Sequence, residues 1–276
     1  MNQLQTRVSE PPAGFALPSW RELYTYRDLG YFLARRDVMI RYKQTAIGVL
    51  WAVIQPVLLA VVFSVFLGLL AKVPPPKGTP YPLFALSGLA VWVLFTSGLQ
   101  SSATSTVASE QLITKAYFPR VLIPLAALVP AVVDFCITFV VLVIAMFIYG
   151  HPPGLTILLT PAAVVLVMVL TAGAGLLLSA ISVRYRDVLI VVPFLILVGL
   201  FITPVTYGFD LVPTRLQPVY ALNPMVGILE FFRFCLFGHF TGPAWVVAMS
   251  CVIAIALLVT GLRYFHRTER TFADFV

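Results

Sequence analysis

Long apolar runs separated by short polar links organise this chain. Five stretches, at 46–71, 83–108, 155–182, 188–209 and 244–262, carry no Asp, Glu, Lys or Arg. A helix rises 1.5 Å per residue, so about 20 such residues cover the ~30 Å hydrocarbon core of a bilayer. A sixth run, 121–149, is interrupted only by Asp134. None of the runs alternates polar with apolar positions, and lipid leaves no unpaired backbone group unpunished, so the spans are helices rather than barrel strands. The predicted fold is all-α. It is a polytopic membrane protein with six transmembrane helices over 46–264, a cytoplasmic N-terminal segment over 1–45 and a cytoplasmic tail over 265–276.

The flanking segments have patterns of their own. Residues 19–43 read as an amphipathic interface helix, opened by Ser19 with Glu22 three residues on, a capping-box spacing. Leu29, Phe32, Leu33 and Ile40 form its apolar face, and Arg27, Arg35, Arg36, Arg41 and Lys43 keep the rest charged. Prolines 74, 75, 76, 80 and 82 stiffen the link after the first span. Between spans five and six, 210–243 is long for a loop, yet its stretch from Pro224 to Gly238 is apolar and too short to span. That combination predicts a re-entrant or interfacial pair of short helices, one begun by Asn223-Pro224, with Glu230 and Arg233 paired at i and i+3.

Charge fixes the orientation. Of the 18 Lys and Arg, 14 fall in the N-terminal segment, the links near 115 and 185 and the C-terminal tail, whereas only Lys72, Lys77, Arg215 and Arg233 fall on the other side. The positive-inside rule then puts both termini in the cytoplasm and the chain in a bacterial inner membrane. The net charge of +7 flanks apolar runs instead of forming a soluble basic face, which points to a membrane partner and no nucleic acid. The first long apolar stretch starts only near Ala46 and has no short h-region with a cleavage site, so it is expected to stay in the mature protein. Cys136, Cys235 and Cys251 form no CxxC pair and read as buried small hydrophobes, and His151, His239 and His266 lie too far apart for metal-ligand spacing.

Few residues invite chemistry. No GxxxxGK[ST] loop, GxSxG elbow, HExxH pair or carboxylate cluster occurs, so no catalytic or metal site is expected and nucleotide hydrolysis would belong to another chain. Asp134 lies some 13 residues into its run, ~20 Å deep, where it must be neutral, paired or facing water; it reads equally as a pathway-lining group or an interhelical contact. The second span carries Thr96, Ser97, Gly98, Gln100, Ser101, Ser102, Thr104, Ser105 and Thr106. Such hydroxyls suit either a sugar polymer or close helix packing. Trp51, Phe63, Trp92 and Phe95 are further candidates for a conduit wall on which sugar rings could slide. The link from Ser109 to Arg120 mixes Glu110, Gln111 and Lys115 with Leu112, Tyr117 and Phe118, a short amphipathic helix or an interfacial turn.

The run WRELYTYRDLGYFLARRDVMIRYKQTAIGVLWAVIQP from Trp20 is similar to the permease subunits of ABC-type polysaccharide exporters that move O-antigen or teichoic acid. Tyr26 to Leu29, Arg36-Asp37, Arg41 to Thr45, Gly48, Trp51 and Pro56 carry that resemblance, joined by 112–126, 183–187, 203–207 and Asn223-Pro224-Met225. Gly30 departs from it, where many relatives carry an apolar residue, and should loosen the helix locally. The resemblance implies a homodimer, with ATP and Mg bound by two copies of a separate cytoplasmic ATPase. It makes Glu110, Gln111, Leu112, Lys115, Tyr117 and Phe118 a coupling helix, and the segment of Asn223, Pro224, Glu230 and Arg233 an outer gate. A lipid-linked polysaccharide would be the cargo, its phosphates arriving near Arg35, Arg36, Arg41 and Lys43. Three other readings stay open: a permease for small hydrophobic molecules or lipids, a proton-coupled transporter using Asp134, and a membrane enzyme acting on polyprenyl-linked sugar.

Overall fold

The computed structural model describes residues 24–43, 50–74, 78–115, 118–269 and 272, so the Ser19 and Glu22 capping pattern lies outside the described residues. These residues fold into helices and turns, with no strand among them. In chain order the helices are α1 (Arg27–Lys43), α2 (Leu50–Phe63), α3 (Tyr81–Ala108), α4 (Glu110–Lys115), α5 (Leu122–Ala126) and α6 (Val129–Ile148). They continue with α7 (Thr160–Arg184), α8 (Val188–Ile202), α9 (Gln217–Tyr220), α10 (Pro224–Phe237) and α11 (Trp245–Thr268). A π-helical turn, Ser64–Leu70, extends α2, and a 3-10 turn, Leu155–Leu159, leads into α7.

Among the described residues five stretches are long and apolar enough to cross a bilayer: Leu50–Leu70, Tyr81–Ala108, Leu122–Ile148, Leu155–Arg184 and Trp245–Thr268. The fifth predicted span is shorter than the 188–209 read from hydropathy, because α8 stops at Ile202 after 15 residues. Proline is the reason. A residue that precedes proline is pushed out of the helical region, and Thr203, before Pro204, is extended at φ −89° and ψ 139°. Residues 203–206 then turn back into the protein interior, all of them buried. Within the third span the ladder is interrupted: Pro130, in the first turn of α6, has no N–H to give to the preceding turn, and Ala127 and Leu128 form a turn between α5 and α6.

At the centre stands α3, which buries 18 of its 28 residues. Two contacts hold it in a block with α7 and α11. Between α7 and α11 the backbones meet at glycine: a Cβ on Gly261 would lie 2.2 Å from the Gly173 carbonyl oxygen, and one on Gly173 would lie 2.5 Å from the Leu258 nitrogen. Small residues let helices approach this closely in lipid, where dispersion and polar contacts must replace the hydrophobic drive. Between α3 and α7 a hydroxyl ladder forms, with Thr106 and Ser179 sharing a bond of 2.5 Å and the Ser182 hydroxyl donating to the Ala103 carbonyl at 2.9 Å. By contrast α2 buries only Pro56 and Ala60, and α8 only Val192.

The expected pair of short helices between the last two long spans is a four-residue turn, α9, followed by the 14-residue α10. Asn223 caps α10, its side chain accepting from the Met225 N–H at 3.1 Å while its amide donates to Thr203 Oγ1 at 2.8 Å. Gly238, at φ +75°, closes the helix in the left-handed conformation. Ten of its 14 residues are buried, and Gly227 lets it lie on α11, where its N–H donates to Ser250 Oγ at 3.2 Å.

Only part of the apolar face expected for the first helix is covered. Leu33 is buried against Ile113 of α4, Phe118, and Ile123 and Ala126 of α5, with Leu29 at the edge. Phe32 and Ile40 remain 63% and 60% exposed, because the α4–α5 elbow covers the Leu29–Leu33 stripe alone. The helix is not broken at Gly30, whose N–H still donates to the Tyr26 carbonyl at 3.1 Å. Among the cysteines only Cys235 is fully buried; Cys136 sits on the outward face of α6, which corrects the expectation that all three are interior.

Candidate functional site

Helical spacing divides the hydroxyl-rich half of α3 into two faces. Thr96, Ser97, Gln100, Ser101 and Thr104, three or four residues apart, line a cavity of about 900 Å³. Ser102 and Thr106 point the other way and are buried, Thr106 in the α7 ladder; Ser105, also buried, donates back to the Ser102 carbonyl at 2.7 Å. The stripe therefore divides into a face that lines a cavity and a face that packs on α7. Trp51, Ala52 and Gln55 of α2 form one side of the cavity, Ile196 of α8 another, and Arg41, Tyr42 and Asp134 complete the wall.

Three helices meet at Asp134. Its carboxylate lies 2.5 Å from the Arg41 guanidinium and accepts a hydrogen bond from the Tyr42 hydroxyl. Both partners come from the last turn of α1. Arg41 also reaches α3, donating from both terminal nitrogens to Ser97 Oγ at 3.2 Å. Burial, and then the bond to Asp134, push the Tyr42 phenol above its ordinary value, so it keeps its proton and acts as donor. The Asp134 side chain is 6% exposed and that of Arg41 37%, so of these two lining residues the cation presents more of itself to the cavity. The third crossing stretch begins at Leu122, so Asp134 lies ~18 Å along it, close to the ~20 Å read from the sequence.

A second charged cluster lies on α10. Both side chains of Glu230 and Arg233 are 2% exposed, and their charged atoms approach to 3.9 Å, the expected i and i+3 pairing. Each is mainly engaged elsewhere. Glu230 accepts from the backbone N–H groups of Thr241 and Gly242, both at 3.0 Å, and from the Thr241 hydroxyl at 2.6 Å. Arg233 donates to the carbonyls of Pro204 and Val205 at 3.0 and 2.6 Å, and its guanidinium carbon stacks 3.7 Å from the centre of the Phe84 ring. Gly88 makes room, since a Cβ there would lie 2.0 Å from the Val205 oxygen and 2.7 Å from the guanidinium. Proline-204 ends α8, and Arg233 takes the carbonyls that the broken helix releases.

The other predicted residues scatter. Of the conduit candidates, Trp51, Ser101 and Asp134 line the cavity. Trp92 is 6% exposed, lies against Phe95 at 5.9 Å, and meets α8 where a Cβ on Gly199 would come within 3.0 Å of its ring. Phe63 and Phe95 pack on the central core rather than the cavity. In the α4 segment Glu110 and Gln111 are exposed, but Phe118 is 5% exposed and turned inward against Leu33; it anchors the elbow and offers no outer surface. Tyr117 and the Lys115 side chain lie outside the described residues. Arg35, Arg36 and Lys43 border a separate hollow on the outer side of α1 with Phe32, Met39 and Ile40. Tyr42 and Gln55 were not singled out by sequence, although Tyr42 sits inside the RYKQT run.

A family model described as ABC-2 type transporter matches residues 29–237. That interval runs from the first turn of α1 to the last residue of α10 and so contains both charged clusters. The chain belongs to the ABC-2 type transporter family. This ABC-2 chain is therefore the membrane subunit of a transporter. The O-antigen export system permease protein of Klebsiella pneumoniae is 29% identical over 248 residues, covering 90% of the chain and 94% of that relative. Its namesake from Myxococcus xanthus is 26% identical over 256 residues, with 92% and 97% covered. The polysialic acid transport protein of Escherichia coli is more distant, at 20% over 238 residues, with 85% and 91% covered.

Proposed function

We propose that this ABC-2 permease forms half of the conduit of an ATP-driven exporter that moves a lipid-linked polysaccharide out across the bacterial inner membrane. The observation that carries the reading is the position of the polar face of α3. It opens between α2 and α8, two apolar helices that bury only two and one of their residues. A wall of hydroxyls and amides offers donors and acceptors to a sugar leaving water, and the exposed apolar faces of the helices beside it call for a second copy of the chain. Two copies facing each other would close the wall into a channel.

The names of the relatives support a glycan cargo, and the family supports an ATPase partner that binds ATP and Mg and docks on α4. In this reading both termini are cytoplasmic, α8 with its buried turn serves as the remaining crossing, and α10 is a re-entrant plug at the outer end. The basic outer side of α1, with Arg35, Arg36 and Lys43 beside exposed Phe32 and Ile40, lies in the interface near the phosphates of the carrier lipid. Closure of the ATPases on α4 moves α1 and α5, which share the Leu33–Phe118 core.

Deletion of residues 110–118 in a strain carrying the partner ATPase tests this. Surface glycan should fall to background while ATP hydrolysis by the ATPase persists. Undiminished export from the deleted form rejects the reading.

A further inference from the structure

Charge is arranged unevenly around α1, and the arrangement has a chemical meaning. The main cavity continues beneath α1 into a smaller one of about 340 Å³, the two sharing Arg41, Ser101 and Thr104. Four charged residues line this joined furrow: Arg36, Asp37, Arg41 and Asp134. Each cation is matched by a carboxylate, Arg36 by Asp37 at 2.9 Å and Arg41 by Asp134 at 2.5 Å. The furrow therefore carries no net charge, in a chain whose formal charge is +7. On the outer side of α1, by contrast, Arg35 and Lys43, together with the Arg36 that Asp37 pairs, border a hollow whose lining includes no carboxylate among the described residues.

We propose that Asp134 is a specificity residue: by neutralising Arg41 it keeps the furrow uncharged, so that the furrow takes neutral, hydroxyl-bearing sugar segments and disfavours acidic ones. This rests on the glycan-export reading above. Neutral pyranoses are served by what remains. Gln55, Thr96, Gln100 and Ser101 both donate and accept hydrogen bonds, and Trp51, 58% exposed, offers a ring face for stacking. An acidic sugar entering the same space would shed water from its carboxylate without gaining an unmatched cation, a loss that nothing in the lining offsets. Among the described residues the furrow offers it only Arg36, which Asp37 holds, and Arg41, which Asp134 holds from behind while Ser97 holds it from the side. Tyr42, donating to the same carboxylate, fixes Asp134 in place.

The test uses the full chain in lipid nanodiscs, titrated with a neutral gluco-oligosaccharide and with an oligogalacturonate of equal length. The readout is the ratio of the two affinities. In the native chain the neutral oligomer binds tighter. Asp134→Asn frees Arg41 and should raise relative affinity for the acidic oligomer about tenfold, the size of one unmatched charge at contact range in a partly wet site. The double variant Arg41→Gln with Asp134→Asn is uncharged again and should return to the native ratio. Gln100→Lys adds a cation without touching the ion pair and should shift the ratio in the same direction as Asp134→Asn, so the test stands even if that single variant does not fold. If the neutral oligomer binds but neither Asp134→Asn nor Gln100→Lys moves the ratio, the selectivity proposal is wrong and the glycan reading survives. If no form binds either oligomer, the glycan reading falls and takes the proposal with it.

Discussion

Two arginine–carboxylate pairs sit in this molecule, built from the same chemistry and put to opposite uses. Arg41 and Asp134 come from helices far apart in sequence, meet at 2.5 Å, and leave a third of the guanidinium side chain open to a cavity. Arg233 and Glu230 lie one turn apart on α10, meet only at 3.9 Å, and are sealed from solvent. Backbone groups occupy the second pair: Arg233 takes the carbonyls freed where α8 breaks, and Glu230 takes the N–H groups of the turn that follows α10. A pair that spends its hydrogen bonds on backbone is a fastener. One that keeps a face to a polar cavity sets the potential felt by whatever enters.

That contrast can be broken by substitution. Arg233→Ala should cost the most, about 3–5 kcal/mol, since it leaves Glu230 without its neighbour and two buried carbonyls unpaired; a drop in thermal stability in nanodiscs, together with protease sensitivity of the 203–208 turn, is the expected signature. A shift no larger than that of a surface arginine would remove the fastener assignment. Tyr42→Phe deletes one hydrogen bond to a partly wet ion pair and should lower stability by only about 1 kcal/mol, while hydrogen exchange over α1 and α6 rises more than over α10. Equal changes in all three helices would merge the two clusters into one unit. Gly30→Ala is the mildest and should stabilise by up to about 1 kcal/mol, because its methyl would meet Leu122 at an ordinary 3.6 Å. It stiffens the helix that delivers Arg41, so destabilisation there would mean that α1 needs its glycine for bending.

Hydropathy found the long helices because lipid demands an uninterrupted apolar run, and that demand is local in sequence. What it missed was decided by proline and by distance. The predicted 188–209 span ends at Ile202 because of Pro204, a signal that was readable but that an apolar window averages away. The turn at Ala127 and Leu128 answers to Pro130 as well, through the N–H that proline lacks. Asn223 as a helix cap was legible, since its short acceptor stands directly before Pro224. The partner of Asp134 was not: Tyr42 lies 92 residues away, and no periodicity within one helix says which other helix will face it. The hydroxyl stripe of α3 was ambiguous for a different reason. Its two faces have the same composition, and only the placement of α7 separates a ladder from a furrow.

The glycine-to-glycine crossing of α7 and α11 bears on biogenesis. Gly173 finds its nearest cover on α11, at Leu257, Leu258 and Gly261. Until α11 has left the ribosome, that notch in α7 faces lipid or an insertion factor, and the central block cannot close around α3. A chain stalled before Trp245 would hold most of its transmembrane helices and still lack the keystone, leaving quality-control proteases a target that the finished protein never shows.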